Sequence, residues 1–243
     1  MGRLLTWAIP AIALGAALIG IEPLQAAVLE KTALVAKTKV QYKVVLPNGY
    51  DAGKAYPAIL VFGGGPQTMN TVDGALDRNF RAEAEKRGYI VVAPAAPGGD
   101  LFFQGGERIF PQFLDMILAD YHVRDGKFHV AGPSNGGITS FHVAAENPQY
   151  FLSVTAFPGY MWKATEAKLR AISKLCVFTY VGETDEYQWH EEMKREVQFL
   201  SSLGTVARYT EEKGQPHRLE TLAGANATRL FDGFAEAEKG CSH

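Results

Sequence analysis

From residue 39 onward, short apolar runs that read as strands alternate with amphipathic stretches that read as helices, which leaves few architectures open to the chain. The run "KVQYKVVLP" at 39–47 alternates polar and apolar residues and stops at a turn, as a half-exposed strand does. The runs at 56–65 and 89–97 are apolar, as strands buried on both faces are, 127–134, 151–160 and 175–185 read as further strands, and 205–214 as a last one. Helical patterns fall at 76–88, closed by Gly88, at 108–121, with Pro111 in its first turn, and at 135–148, 164–174, 189–204 and 226–239. The expectation is an α/β fold with a mainly parallel central sheet and helices on both faces, whose ligands meet the carboxyl ends of the strands. No insertion of tens of residues follows "FPGY" at 157–160, so no large cap domain is expected and the site should be open.

At 243 residues and 47% apolar, the chain has enough core for one domain, and no linker or low-complexity stretch suggests a second. A formal charge of -2, with Lys and Arg scattered among Asp and Glu, lacks the basic stripe that nucleic acid requires. Residues 1–26 stand apart from this domain, which we take to span 27–243. They combine an early Arg3, an apolar run from Leu4 to Ile21, the helix-disrupting pair Glu22 and Pro23, and small residues at Ala26 and Ala27, the layout of a secretory signal peptide cleaved near Ala26. The alternative is an uncleaved membrane anchor, since the apolar run approaches the ~20 residues that span a bilayer. Either way the domain is expected outside the cytosol, secreted to the periplasm or beyond, with no stable membrane association after cleavage. The two cysteines, Cys176 and Cys241, are then candidates for a disulfide. Cys176 opens a strand at the face opposite the site, and a terminal helix running antiparallel to the strands would bring Cys241 to that same face.

The chemistry is carried by Gly132-Pro133-Ser134-Asn135-Gly136, a G-x-S-x-G pattern placed between a strand and a helix. In that setting a serine sits on a strained turn, and flanking glycines let the neighbouring elements approach. A serine hydroxyl needs a base, and of six histidines only His217 lies in a polar loop after the last strand, with His190 in reserve. The orienting acid should follow the preceding strand, where Glu183, Asp185 and Glu186 are available; Asp185 is at the best distance from the strand-ending glycine to turn back. The order Ser134, Asp185, His217 belongs to this strand-turn-helix type of hydrolase and differs from the two protease orders. For a developing oxyanion, the amide of Asn135 is one donor and the glycine-rich end of "ILVFGGGPQT" supplies the other.

These residues resemble the α/β-hydrolase superfamily, and more narrowly its secreted esterases, which include polyhydroxyalkanoate depolymerases and feruloyl and acetylxylan esterases. "PAILVFGGGPQT" is similar to that group's apolar strand ending in His-Gly-x-x-Gln-Thr, which places Gly64 at the Gly and implies Gly65 as the oxyanion donor, and "GPSNGG" is similar to its nucleophile elbow. The resemblance implies the α/β-hydrolase fold over about residues 40–235 and a serine carboxylic ester hydrolase needing neither metal nor cofactor. One departure is that Gly63 stands where the group has histidine, which removes a side chain that braces the oxyanion loop. The ester itself, small or polymeric, is not named by the sequence, but aromatics cluster in strand-end loops: Phe102 and Phe103, Tyr160 and Trp162, Tyr187 and Trp189. Any of them could line a substrate cleft. Two other readings are a serine peptidase of the same fold and a catalytically silent binding scaffold.

Overall fold

In the computed structural model, which describes residue 2 and residues 27–240, the strands hydrogen-bond in the order β1-β2-β4-β3-β5-β6-β7-β8. They are β1 (Val28–Val35), β2 (Thr38–Val45), β3 (Tyr56–Val61), β4 (Ile90–Pro94), β5 (Val123–Gly132), β6 (Phe151–Ala156), β7 (Cys176–Gly182) and β8 (Ala207–Glu212). β1 and β2 form an antiparallel hairpin and β2 runs antiparallel to β4; every other pairing is parallel. This is the α/β-hydrolase arrangement, with seven of its strands on the runs expected from the sequence. β1 was not expected: it is an edge strand whose residues are mostly half-exposed or exposed, Leu34 included, so it carries no buried apolar run to betray it.

Helices cover both faces: α1 (Met69–Ala75), α2 (Arg81–Arg87), α3 (Phe110–Asp120), α4 (Asn135–Glu146), α5 (Glu166–Ala171), α6 (His190–Ser202) and α7 (Thr228–Glu238). The period of two along each buried strand divides the core. Ala58, Leu60 and Phe62, with Ile90 and Val92, point into a cluster shared with Phe113 of α3 and Phe141 of α4. Ile59, Val61, Val91 and Ala93 face the opposite way, onto Val72 of α1, Ala84 of α2 and Phe231 and Phe234 of α7. The helix expected at 76–88 begins earlier than its pattern suggested: α1 runs into a π-helical turn at Leu76–Phe80 before α2. A π turn adds one residue to the hydrogen-bonded ring and shifts the apolar register, which hides the continuity from a 3.6-residue reading.

Cys176 opens β7 and is buried against Ala237 near the end of α7, so that end of the helix arrives where β7 starts. Cys241 lies outside the described residues, as do residue 1 and residues 3–26, where a signal peptide was expected. The disulfide therefore remains a proposal. Thiol titration of the denatured, unreduced protein checks it: no reactive thiol and monomeric mobility on a non-reducing gel are expected, whereas two thiols per chain would refute the bond.

Candidate active site

β5 ends at Gly132, and after Pro133 the chain turns so sharply that Ser134 adopts φ 56° and ψ -124° before α4 starts at Asn135. A positive φ in a non-glycine residue costs of order 1–3 kcal/mol and persists only when its surroundings dictate it. Here they do. A Cβ on Gly132 would lie 2.6 Å from the Phe62 carbonyl oxygen, and one on Gly136 would run into the same atom, so both flanks of the elbow press against the end of β3. The Ser134 amide donates to the Pro158 carbonyl at 2.8 Å, tying the turn to the end of β6 as well.

The loop after β8 carries His217 to this elbow. Its Nε2 lies 2.9 Å from Ser134 Oγ, and its Nδ1 lies 3.0 Å from Asp185 Oδ1. The Asp185 side chain is fully buried, and the same Oδ1 accepts the Tyr187 amide at 2.9 Å. The two competing carboxylates hold the histidine loop instead. Glu183 accepts from Lys213 Nζ and from the Gly214 amide, contacts that lower its pKa, and Glu186 accepts the His217 amide at 3.2 Å. His190, at the start of α6, donates from Nε2 to the Gly182 carbonyl, 2.8 Å away. Ser134, His217 and Asp185 thus form one hydrogen-bonded chain with a nucleophile at one end and a buried carboxylate at the other, a geometry suited to removing a proton from the hydroxyl.

Gly64 faces the elbow: a Cβ there would sit 3.6 Å from Ser134 Cβ. Gly65, at φ 54°, has its carbonyl held by Asn135 Nδ2 at 2.9 Å. As the first N–H of α4, the Asn135 amide has no intrahelical acceptor. The departure at Gly63 has a steric counterpart, since a Cβ there would come within 2.8 Å of Thr71 in α1, leaving no room for any side chain. Bracing comes from Gln67, a residue to which sequence reasoning gave no role. It is wholly buried; its Nε2 donates to Thr139 Oγ1 of α4 at 2.8 Å, its Oε1 accepts the Phe102 amide at 3.0 Å, and its own carbonyl accepts the Ala96 amide. One side chain thereby ties the glycine loop to the nucleophile helix. The only signal for it was its place in the Gly-x-x-Gln-Thr strand end.

A cleft of about 350 Å³ opens beside Ser134 and His217, walled by Gly64, Phe157, Pro158 and the α1 side of the molecule. None of the six aromatics expected around substrate lines it. Phe102 and Phe103 are corrected outright: both are buried, Phe102 packing on Phe62 and Phe110 and Phe103 on Trp162, because the segment before α3 folds inward to complete the core. Tyr187 and Trp189 stay at the site, their rings 4.4 Å and 4.9 Å from the His217 ring, with Tyr187 largely exposed. Tyr160 packs on Trp189, and Tyr160 and Trp162 border a separate hollow next to α6. Among the described residues no three His, Cys, Asp or Glu side chains come together in a way that could hold a metal ion.

That second hollow contains a titratable group of consequence. Glu196 of α6 is buried, and both its oxygens lie within 3.1 Å of the Met161 amide. Burial pushes its carboxyl up to about 8, outweighing that single donor. Between the unfolded carboxylate value of ~4.3 and about 8, the native state keeps a proton that the unfolded state releases, so this group's contribution to stability is lost as pH rises through that window. Glu196→Gln keeps an acceptor for Met161 and removes the titration. The variant should gain on the wild type between pH 5 and pH 8, by an amount bounded at ~4 kcal/mol and read as a Tm difference widening by about 5 °C or more. Parallel Tm profiles for the two proteins would contradict the assignment.

With the geometry in place, comparison with known proteins is informative. Residues 107–233, just over half of the chain, match the model of the family named Esterase. Dipeptidyl-peptidase 5 of Porphyromonas gingivalis is 32% identical over 128 residues, 48% of this chain but 19% of that protein, so the chain spans about a fifth of the length of this relative. Among solved structures, a mutant of the feruloyl esterase module from Clostridium thermocellum, complexed with sinapinate, superposes with a TM-score of 0.68 at 18% identity over 90% of each chain. A thermostable esterase gives a TM-score of 0.67 at 18% identity, over 77% of this chain and 54% of its own. These two likenesses bear on the fold. The family match carries further: the chain, with its α/β-hydrolase fold, belongs to the Esterase family.

Proposed function

We propose that the protein is a secreted serine esterase that cleaves carboxylic esters through an acyl-enzyme. Ser134 attacks the ester carbonyl while His217 takes its proton at Nε2, and buried Asp185 holds the ring by Nδ1 and stabilises the imidazolium that forms. The amides of Asn135 and Gly65, with Gly64 beside them, receive the oxyanion; each such donor is typically worth ~3 kcal/mol in the transition state. His217 then returns the proton to the departing alcohol, and water repeats the sequence on the acyl group. The observation that carries this reading is the unbroken contact chain of 2.9 Å and 3.0 Å from Ser134 through His217 to Asp185. A small aryl or acyl ester, or an ester on a polymer, suits a cleft of about 350 Å³ open to solvent with Tyr187 and Trp189 at the histidine.

A fluorophosphonate probe tests the nucleophile: covalent labelling at Ser134 is expected, and its absence would favour a silent scaffold. The peptidase reading draws its support from the dipeptidyl-peptidase relatives, of which this chain spans only a small part. A chain-length series of p-nitrophenyl esters run beside peptide amides separates the two, with turnover of esters alone expected. Export is part of the proposal. It requires that the amino terminus of the mature protein fall near Ala27, which N-terminal sequencing reads directly; an intact leader in a membrane fraction would favour the anchor.

A further inference from the structure

The cleft beside Ser134 carries a charge that ester hydrolysis does not call for. Two arginines, Arg78 and Arg218, line it, and no Asp or Glu does. They come from distant parts of the sequence, Arg78 from the π turn between α1 and α2, and Arg218 from the position directly after His217. Arg78 is held in place: its guanidinium donates to the Leu219 carbonyl at 3.2 Å and pairs with Glu220, itself mostly exposed, at 2.6 Å. Glu220 feels both cations, Arg78 more strongly, and its carboxyl is lowered accordingly. Arg218 is exposed and has no salt-bridge partner within 4.0 Å among the described residues. The cleft wall thus carries two guanidiniums and no carboxylate: Glu220 pairs with Arg78 off the wall, and Asp185 and Glu186 lie behind it, held on the His217 ring and amide.

We propose that this cleft is a carboxylate subsite, so that the enzyme prefers esters carrying an anionic group on the acyl or alcohol portion, bound chiefly by Arg218 with Arg78 beside it. This rests on Ser134 being the nucleophile, because the subsite matters only if the scissile ester lies at that serine. A guanidinium presents a planar fork that matches a carboxylate, and charge-assisted hydrogen bonds of this kind are about twice as strong as neutral ones. Partial enclosure strengthens the attraction over its value in bulk water, and an uncompensated cation at the mouth of a cleft raises the encounter rate of anionic substrates. A neutral ester of the same shape gains neither. Asn79, buried at the cleft floor with its Nδ2 spent on the Leu222 carbonyl, adds polarity without charge.

The test uses the full chain and two pairs of probes, each pair differing by one charge. Mono-4-nitrophenyl adipate and its terminal amide place the charge on the acyl side; 4-acetoxybenzoate and 4-acetoxybenzamide place it on the leaving group. For each ester kcat/KM is divided by its own hydroxide-catalysed rate constant, and the ratio of carboxylate to amide is the readout, independent of the fraction of active protein. A ratio of about tenfold or more is expected in at least one pair, the scale of one hydrogen bond to a charged group. Raising the ionic strength to about 0.5 M should pull that ratio down, since an exposed cation is screened. Arg218→Gln should bring it close to one and Arg218→Glu below one. Should either variant fail to fold, the wild-type ratio and its salt dependence still decide. A wild-type ratio at or below one in both pairs, or a preference that survives Arg218→Glu, would overturn the subsite while leaving the serine mechanism standing. Failure to turn over any of the four esters, or turnover that persists in Ser134→Ala, would instead overturn the reading of Ser134.

Discussion

Ser134→Ala is expected to lower kcat on a p-nitrophenyl ester by about 10⁶, and His217→Ala by a comparable factor, because nucleophile and base act as one unit and losing either disables both. The structure also requires that this loss come without unfolding. Ser134 Oγ has His217 as its partner, and the strain at φ 56° belongs to the backbone, which alanine inherits unchanged. The elbow is held by the Ser134 amide on Pro158 and by the close approach of Gly132 and Gly136 to Phe62, none of which involves the hydroxyl. Thermal unfolding of Ser134→Ala should accordingly stay within about 2 °C of the wild type, a surface-like change in a domain of this size. Retention of more than about one hundredth of wild-type kcat in either variant would show that a different nucleophile is at work.

How much of this was visible in the sequence depends on how far each feature reaches along the chain. The elbow and the order Ser134, Asp185, His217 were legible because each is a local signal: a serine between glycines at a strand end, an acid past a strand-ending glycine, a histidine in the loop after the last strand. The strand pattern was legible for the same reason, except at β1, where an exposed edge removes the hydrophobic record. Gln67 was not, because its role exists only where the end of β3, Thr139 of α4 and the Phe102 amide meet. Nor could the loop aromatics be sorted. Phe102 and Tyr187 look alike as aromatics near strand ends, and only packing against Phe62 and Phe110 in one case, and against His217 in the other, separates core from site. The arginine pair is of this kind too, 140 positions apart in sequence and on one cleft in space.

The choice of acid yields the second large effect. Asp185→Asn is expected to cost about 10⁴ in kcat, less than loss of the serine or histidine, since nucleophile and base remain in contact. The argument rests on what the fully buried Asp185 carboxylate does. Its Oδ1 accepts from His217 Nδ1 at 3.0 Å and from the Tyr187 amide at 2.9 Å, while Oδ2 meets no hydrogen-bond donor among the described residues. An asparagine can keep its oxygen toward both donors and preserve the fold, but it brings no negative charge to stabilise the imidazolium in a site where water cannot substitute. Turned the other way, its NH₂ would face Nδ1 and favour the tautomer whose Nε2 carries the proton, leaving no lone pair to accept from Ser134. Glu183→Gln supplies the contrast. Its carboxylate is engaged with Lys213 and Gly214 at the surface, so the variant should stay within about threefold of wild-type kcat, as changes to exposed ion pairs do. Measured side by side on one ester, a larger loss for Glu183→Gln than for Asp185→Asn would assign the acid to Glu183 and require the loop at 213–217 to be placed differently during turnover.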